Sequence, residues 1–195
     1  ILVIALLYAL RSDRTTAQKP NQMVTHLQTF GIQAEVIQKK EKYDRASSSK
    51  AGMIGIVSIH GGDVQRIEIR RAARNGSYKG QYFAHRFVLF LSSIGSQGNH
   101  KGTKLITSRN SMGFGGIEDL KWKGDGELPS ILNADVLLND HIISTGLADA
   151  VRNRGMEISP DFKSGVAFIV THDFLPTHEQ FKVIEAIAKH VKAVW

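Results

Sequence analysis

The pattern of apolar and polar positions is clearest in the last thirty residues of the chain. The run Gly165–Val170 is apolar on both faces, as in a buried strand, and after Pro176 apolar residues recur at three- and four-residue steps, as on one face of a helix. Thr177 and Gln180 have the spacing of a capping box, which predicts where that helix begins. The apolar stripe consists of Phe181, Ile184, Ala188, Val191 and Trp195. We therefore predict a strand followed by a helix that packs on its sheet.

Two earlier segments also predict amphipathic helices. The first runs from Lys19 to Phe30, with Pro20 in its first turn and Gly31 as its stop. The second runs from about Pro129 to Ser144. Its apolar positions are Leu128, Ile131, Leu132, Leu138 and Ile142.

Short segments with the period of a strand separate these helices. They are residues 32–36, 53–59, 64–70, 82–91, 104–107 and 157–162. His60-Gly61-Gly62-Asp63 predicts a tight hairpin between the second and third of these strands. The segment 82–91 is apolar on both faces and therefore belongs in the centre of the sheet, whereas Ile117 to Trp122 is ambiguous. This order favours an α+β fold with a mainly antiparallel sheet flanked by amphipathic helices over a doubly wound parallel sheet.

The first ten residues, Ile1 to Leu10, form a short apolar segment that is followed by Arg11 and Arg14. A helix needs about 20 apolar residues to span a bilayer, so this run is too short as it stands. Two interpretations are open: part of a membrane anchor with a basic cytoplasmic flank, or a buried first element of the fold. We accordingly predict an apolar segment over residues 1–14 and a single α+β domain over 15–195.

The amino-acid composition limits the partners and the chemistry that are open to this chain. The chain has 195 residues and a formal net charge of +7, which attracts phosphate-rich partners such as nucleic acid or anionic lipid. It contains no cysteine, which excludes disulfides, cysteine nucleophiles and thiolate metal sites.

The densest basic cluster is Arg66, Arg70, Arg71, Arg74 and Lys79. On a strand, Arg66, Glu68 and Arg70 project together from the face opposite Ile67 and Ile69. The functional interpretation is a surface for phosphate, RNA or anionic lipid. The simpler interpretation, which we favour, is a solvated face that Glu68 partly neutralises.

Catalytic and metal-binding patterns are sparse. The glycine-rich stretches 95–104 and 112–116 lack the spacing of a phosphate loop or a dinucleotide fold, and no Gly-x-Ser-x-Gly elbow occurs. The interpretation that polar groups at the start of the last helix form a functional site is less favoured than the interpretation that they are solvated or cap the helix. These polar groups form one cluster. It consists of His172, Asp173, His178 and Glu179. We predict no cofactor and no metal, and we assign no catalytic residue.

Three functional hypotheses follow. The first is a noncatalytic domain held at a membrane, facing the cytoplasm, that acts through protein–protein interaction or assembly. The second is a soluble, cytoplasmic protein that binds polyanions or nucleic acid through the surface from Arg66 to Lys79, with nucleic acid the less favoured partner. The third is an enzyme whose site the sequence does not reveal.

Overall fold

The fold is α+β, as predicted, and is built on one antiparallel sheet of eight strands. The computed structural model describes residues 19–37, 52–73, 81–92, 102–109, 117–151 and 155–195. The strands are β1 (Ala34–Ile37), β2 (Met53–Ile59), β3 (Arg66–Ala73), β4 (Gln81–Phe90), β5 (Thr103–Arg109), β6 (Ile117–Lys123), β7 (Met156–Asp161) and β8 (Val166–His172). The described helices are α1 (Pro20–Gln28), α2 (Leu128–Ala134), α3 (Val136–Ser144), α4 (Leu147–Val151) and α5 (His178–Val194).

The strands lie in the order β1-β2-β3-β4-β8-β7-β5-β6. Strand β4 is therefore central, as its apolar run predicts. The last strand, β8, pairs with β4 on one side and with β7 on the other. It joins the meander β1 to β4 to the group formed by β5, β6 and β7.

The core lies on one face of the sheet, which we call the core face. Ile67, Ile69, Phe87 and Ile169 point to this face and are fully buried. All five described helices contribute side chains to the same hydrophobic cluster. Helix α5 contributes more of this cluster than any other described helix, because the apolar stripe predicted for α5 is buried from Phe181 to Val191. The hydrophobic effect at this layer is the main force that holds the fold together.

The opposite face, the second face, carries the polar positions of the strands. Directly paired residues share a face, so the pairings define one row across all eight strands. That row is Ile37, Ile56, Glu68, Arg86, Val170, Glu157, Lys104 and Lys123. A second, smaller apolar cluster of Val88, Val166, Phe168 and Val170 lies on the same face.

Most predicted elements are found near their expected positions. The capping box is present, since the Thr177 hydroxyl accepts from the Gln180 N–H at 3.3 Å and the Gln180 side chain accepts from the Thr177 N–H at 2.9 Å. The hairpin from β2 to β3 is also confirmed, with Gly61 at φ +85°. The ambiguous segment after residue 116 is strand β6, at an edge of the sheet.

The single helix predicted from Pro129 to Ser144 is wrong. The chain breaks at Asp135, whose backbone ψ of 85° is not helical, and a new helix starts at Val136. The break is stabilised because the Asp135 carboxylate accepts from the Leu138 N–H at 2.9 Å and so caps α3. Aspartate competes for backbone hydrogen bonds in this way more readily than it continues a helix.

Residues 1–18 lie outside the described residues, and with them the predicted apolar segment 1–14. Its two interpretations therefore stay predictions, as does the division into residues 1–14 and 15–195.

Candidate interaction surfaces

The segment from Gly124 to Val151, which holds helices α2, α3 and α4, differs in charge from the rest of the chain. It contains five acidic residues and no lysine or arginine. Because the whole chain has a net charge of +7, this segment carries −5 and the remainder carries +12. Such an asymmetry creates opposite potentials on different parts of one molecule.

Two asparagines fasten α2 and α3 to the edge strand β6. The Asn133 amide accepts from the Trp122 N–H at 2.8 Å and donates to the Trp122 carbonyl at 2.9 Å, as a neighbouring strand would. The Asn139 side chain accepts from the Trp122 indole N–H at 3.1 Å and donates to the Leu132 carbonyl at 2.9 Å. The helices therefore sit in a fixed position at the end of the sheet.

Asp135 is held from two sides at the break between α2 and α3. Besides capping α3, its carboxylate lies 2.8 Å from Nε2 of His190 on α5. The hydrogen bond from the Leu138 N–H is the main cause that lowers the pKa of Asp135. His190 lowers this pKa further, whereas burial raises it. The carboxylate is therefore stabilised in its charged form, which fixes the start of α3 against α5.

Large aliphatic side chains are exposed on these same helices. Val136 is 65% and Leu137 is 74% exposed, although Leu138, which follows them, is buried. Ile143 and Ile131 are also exposed. Val136, Asp140 and Ile143 lie at four- and three-residue steps and so share a stripe of α3. We call Ile131, Val136, Leu137, Asp140 and Ile143 the helix surface: it is apolar, and the charged residues of its segment are all acidic.

A second exposed surface has the opposite charge. On the second face of the sheet, Lys104 lies directly opposite Lys123, and Ile106 lies directly opposite Lys121. All three lysines and Ile106 are exposed. We call these four residues the sheet surface. Like charges directly opposite each other on neighbouring strands destabilise a sheet, so this arrangement favours an acidic partner.

Two carboxylates also lie on this side of the sheet. Glu157 pairs with Lys104 at 3.5 Å, and Asp119 lies two positions before Lys121 on β6. Lys121 and Lys123 form no ion pair with any residue in the described ranges. They are therefore the cations of the sheet surface that a partner can neutralise.

The helix surface and the sheet surface lie on opposite sides of the molecule. Helices α2 and α3 pack on the core face, through Leu132, Leu138 and Ile142. Leu105 and Trp122 point to that face, whereas their neighbours Lys104, Ile106, Lys121 and Lys123 point to the other. The sheet surface of one copy therefore faces away from the layer in which its helices pack.

The predicted basic surface from Arg66 to Lys79 is not a continuous exposed surface. Arg66, Glu68 and Arg70 share a face, as predicted, but all three are buried. Arg71 is exposed and belongs to the opposite face of β3. Arg74 and Lys79 lie outside the described residues. Alternation along a strand predicts which residues share a face, but not whether that face is covered.

The four predicted polar residues near α5 do not converge on one site. His172 lies on the second face, opposite Ala84. Asp173 is structural: at φ +47° it accepts from the Phe83 N–H at 2.9 Å and donates its own N–H to the Phe83 carbonyl.

The other two residues of that set lie at the start of α5. His178 stacks on the Phe30 ring, with a centroid distance of 5.3 Å, and Glu179 pairs with Lys182 at 2.9 Å. No group of three potential metal ligands occurs in the part of the chain that the structure describes.

A shallow depression lies at the β1 edge of the sheet. It has a volume of about 360 Å³ and is lined mainly by the turn from Gly31 to Glu35, with Gln28 and His60. His60 and Glu35 form an exposed pair at 3.3 Å. These two side chains are too few and too solvated to define a catalytic site by themselves.

Sequence reasoning missed the two exposed surfaces. The absence of lysine and arginine from residues 124–151 is visible in the sequence and signals the helix surface. The exposure of Val136 and Leu137 is not visible there, because it depends on the break at Asp135.

Within the described ranges, no helix is both long enough and apolar enough to cross a membrane. Comparison of the chain with models of protein families, with curated proteins and with solved structures found no match.

Proposed function

We propose that this domain is noncatalytic and acts in assembly, through head-to-tail association of its own copies. The helix surface of one copy docks on the sheet surface of the next. The observation that carries the proposal is the pair of exposed surfaces of opposite charge, each with an aliphatic centre, on opposite sides of one molecule.

Charge complementarity supports a second copy as the partner. Asp140 lies within the helix surface, and its segment contains no cation that would repel a lysine. Lys121 lies directly opposite Ile106 on the sheet surface, and Lys123 lies two positions further along the same strand. Docking would remove aliphatic side chains from water on both sides and bring carboxylates to lysines.

The energetics favour a weak contact. Full burial of Val136 and Leu137 stabilises a complex by about 1.5–3 kcal/mol for each side chain, whereas association costs about 4–15 kcal/mol in lost freedom of motion. Exposed ion pairs add about 1 kcal/mol or less each. We therefore expect a weak association, with a dissociation constant of about 1 mM.

The shape of the assembly follows from the two unlike surfaces. A contact between different patches is heterologous, so it forms a ring or an open filament rather than a symmetric pair. This property distinguishes the proposed assembly from contact between two helix surfaces, which would form a closed, symmetric dimer.

Sedimentation velocity on mixtures of two variants tests the proposal. Leu137→Lys disrupts the helix surface, because it removes an aliphatic side chain and places a cation opposite the lysines of the next copy, and the double variant Lys121→Glu with Lys123→Glu disrupts the sheet surface. Each variant alone is expected to be monomeric, whereas their mixture forms a dimer and stops there, because each supplies the surface that the other lacks. All three changes are at exposed positions, where substitutions usually alter stability by less than about 0.5 kcal/mol.

The matched control is the double variant Lys163→Glu with Lys189→Glu. It makes the same change of charge at two exposed lysines outside both surfaces, so it is expected to associate like the unaltered chain. The proposal is wrong if the unaltered chain stays monomeric up to about 1 mM. It is also wrong if the Lys121 and Lys123 variant still self-associates, because that result indicates contact between helix surfaces alone.

Attachment to a membrane through residues 1–14 is a separate proposal, supported only by the apolar run from Ile1 to Leu10 and its basic flank. Tethering would strengthen a weak contact by raising the local concentration of copies. The polyanion hypothesis now has less support, because Arg66 and Arg70 are buried and so are not presented to a nucleic acid.

A further inference from the structure

Three arginines and one glutamate lie together on the second face of the sheet, away from the sheet surface. Glu68 is 1% exposed and lies between Arg66 and Arg70 on β3. Its carboxylate oxygens are 3.0 Å from Nη2 of Arg66 and 3.7 Å from Nη1 of Arg70. One buried carboxylate therefore already has two cationic partners.

Arg86 is the third arginine and lies directly opposite Glu68, one strand further into the sheet. It forms no hydrogen bond or ion pair with another residue of the described ranges, and its Nε is buried without a hydrogen-bond partner. Its guanidinium lies over the Phe168 ring, 5.2 Å from the ring centroid. A flat aromatic face supports a guanidinium and leaves its outer N–H groups available.

These four side chains do not neutralise one another. Arg66, Glu68, Arg70 and Arg86 together carry a formal charge of +2. Burial is the main cause that lowers the pKa of Arg86, and Arg70 lowers it further while Glu68 opposes the shift. A guanidinium nevertheless stays protonated at neutral pH. An anion beside Arg86 would offset both the burial of this cation and its repulsion by Arg70.

We propose that Arg86 binds a small oxyanion, a carboxylate or a phosphate group, on the second face of the sheet. The fork of a guanidinium matches two oxygens of such a group. Ser159 on β7 lies directly opposite Phe168, on the same face of the sheet as Arg86. Glu157, which could compete with the anion, is itself paired with Lys104.

Isothermal titration of the folded chain with inorganic phosphate, and separately with acetate, tests the proposal. Chloride at equal ionic strength serves as the reference for general attraction to a positively charged protein. We expect phosphate or acetate to bind. Arg86→Gln should weaken that binding about tenfold or more, because it removes a charge-assisted hydrogen bond.

Arg71→Gln is the matched control, since it removes the same charge from an exposed position on the neighbouring strand. It should leave binding within about twofold, because surface charges are screened by salt. Binding of phosphate without acetate identifies a phosphate group as the ligand, and binding of both identifies a carboxylate as sufficient.

A measurement on the unaltered chain avoids any effect of Arg86→Gln on folding. Phenylglyoxal modifies accessible guanidinium groups, and peptide mass spectrometry reports the rate at Arg86. Phosphate or acetate should slow this modification, whereas chloride at equal ionic strength should not. The proposal fails if neither anion binds better than chloride, or if neither protects Arg86.

Discussion

Glu185 on α5 holds the hairpin between β2 and β3 by a direct contact with its backbone. Its carboxylate accepts from the Asp63 N–H at 2.6 Å and from the Val64 N–H at 3.3 Å. Gly62 permits this approach, because a Cβ atom there would lie only 2.6 Å from a Glu185 oxygen. Lys192 adds an ion pair to Asp63 at 3.2 Å.

This contact predicts a dependence of stability on pH. Burial raises the pKa of Glu185, although the Asp63 and Val64 N–H groups oppose the shift. A carboxyl group with a raised pKa contributes most to stability below its ordinary pKa, and the contribution is lost as the pH rises through the folded-state value. Urea titrations of the chain and of Glu185→Gln should show that the chain loses stability relative to the variant over that interval.

The control for this prediction is Glu179→Gln, a substitution at an exposed position on the same helix. The pKa of Glu179 is lowered, chiefly by its hydrogen bond with Lys182, so the sign of its pH dependence is opposite. A constant difference between the chain and Glu185→Gln at every pH would contradict the assignment.

The outer edge of strand β6 is stabilised by a single side chain from a neighbouring helix. An edge strand exposes backbone groups that can pair with another chain, and the Asn133 amide occupies those of Trp122. The element therefore depends on one residue of α2 as well as on its partner strand β5.

Asn133→Ala should destabilise the fold by about 1–3 kcal/mol, because it leaves a partly buried N–H and C=O of Trp122 without their partners. Hydrogen exchange at the Trp122 amide should become faster by a similar free energy. Asn133→Asp is the matched variant: it retains the acceptor for the Trp122 N–H and loses only the donor. Unchanged exchange in Asn133→Ala would contradict this role for the side chain.

The elements differ in how far the sequence predicts them. Helix α5 is predicted by its cap and its stripe, and Ile184 is fully buried as that stripe requires. The break between α2 and α3 could not be predicted in the same way, because Leu138 and Ile142 continue the period across Asp135. The aspartate cap that ends the helix is also held by His190, which is 55 residues away in the sequence, and a periodicity pattern does not include such a contact.

At the scale of the whole molecule, the separation of charge is the property that the proposed assembly uses. Residues 124–151 carry −5 and the rest of the chain carries +12. The sequence shows this asymmetry, but only the sheet pairings show that Lys104, Lys121 and Lys123 share one surface with Ile106. The same limit applies to the anion site. Alternation along β3 predicts that Arg66, Glu68 and Arg70 share a face, whereas only the register between β3 and β4 shows that Arg86 lies beside them.

Salt should weaken the assembly without abolishing it. The Debye length falls from about 10 Å at 0.1 M salt to about 3 Å at 1 M, which screens the pairs between lysines and acidic residues. Burial of Leu137 and Val136 is not screened, so part of the association should remain at high salt. Sedimentation equilibrium at the two salt concentrations measures this. Association that grows stronger with salt would contradict a role for charge complementarity.

The position of β8 bears on how the chain is made by the ribosome. Strands β4 and β7 are both complete before residue 166 is synthesised, yet each has its other partner in β8. Until the last thirty residues emerge, the nascent chain holds two separate pieces of sheet, each with an unpaired edge. Sheet edges of this kind can pair with other chains. The interval between synthesis of β7 and emergence of β8 is therefore when these two edges are most open to pairing with other chains.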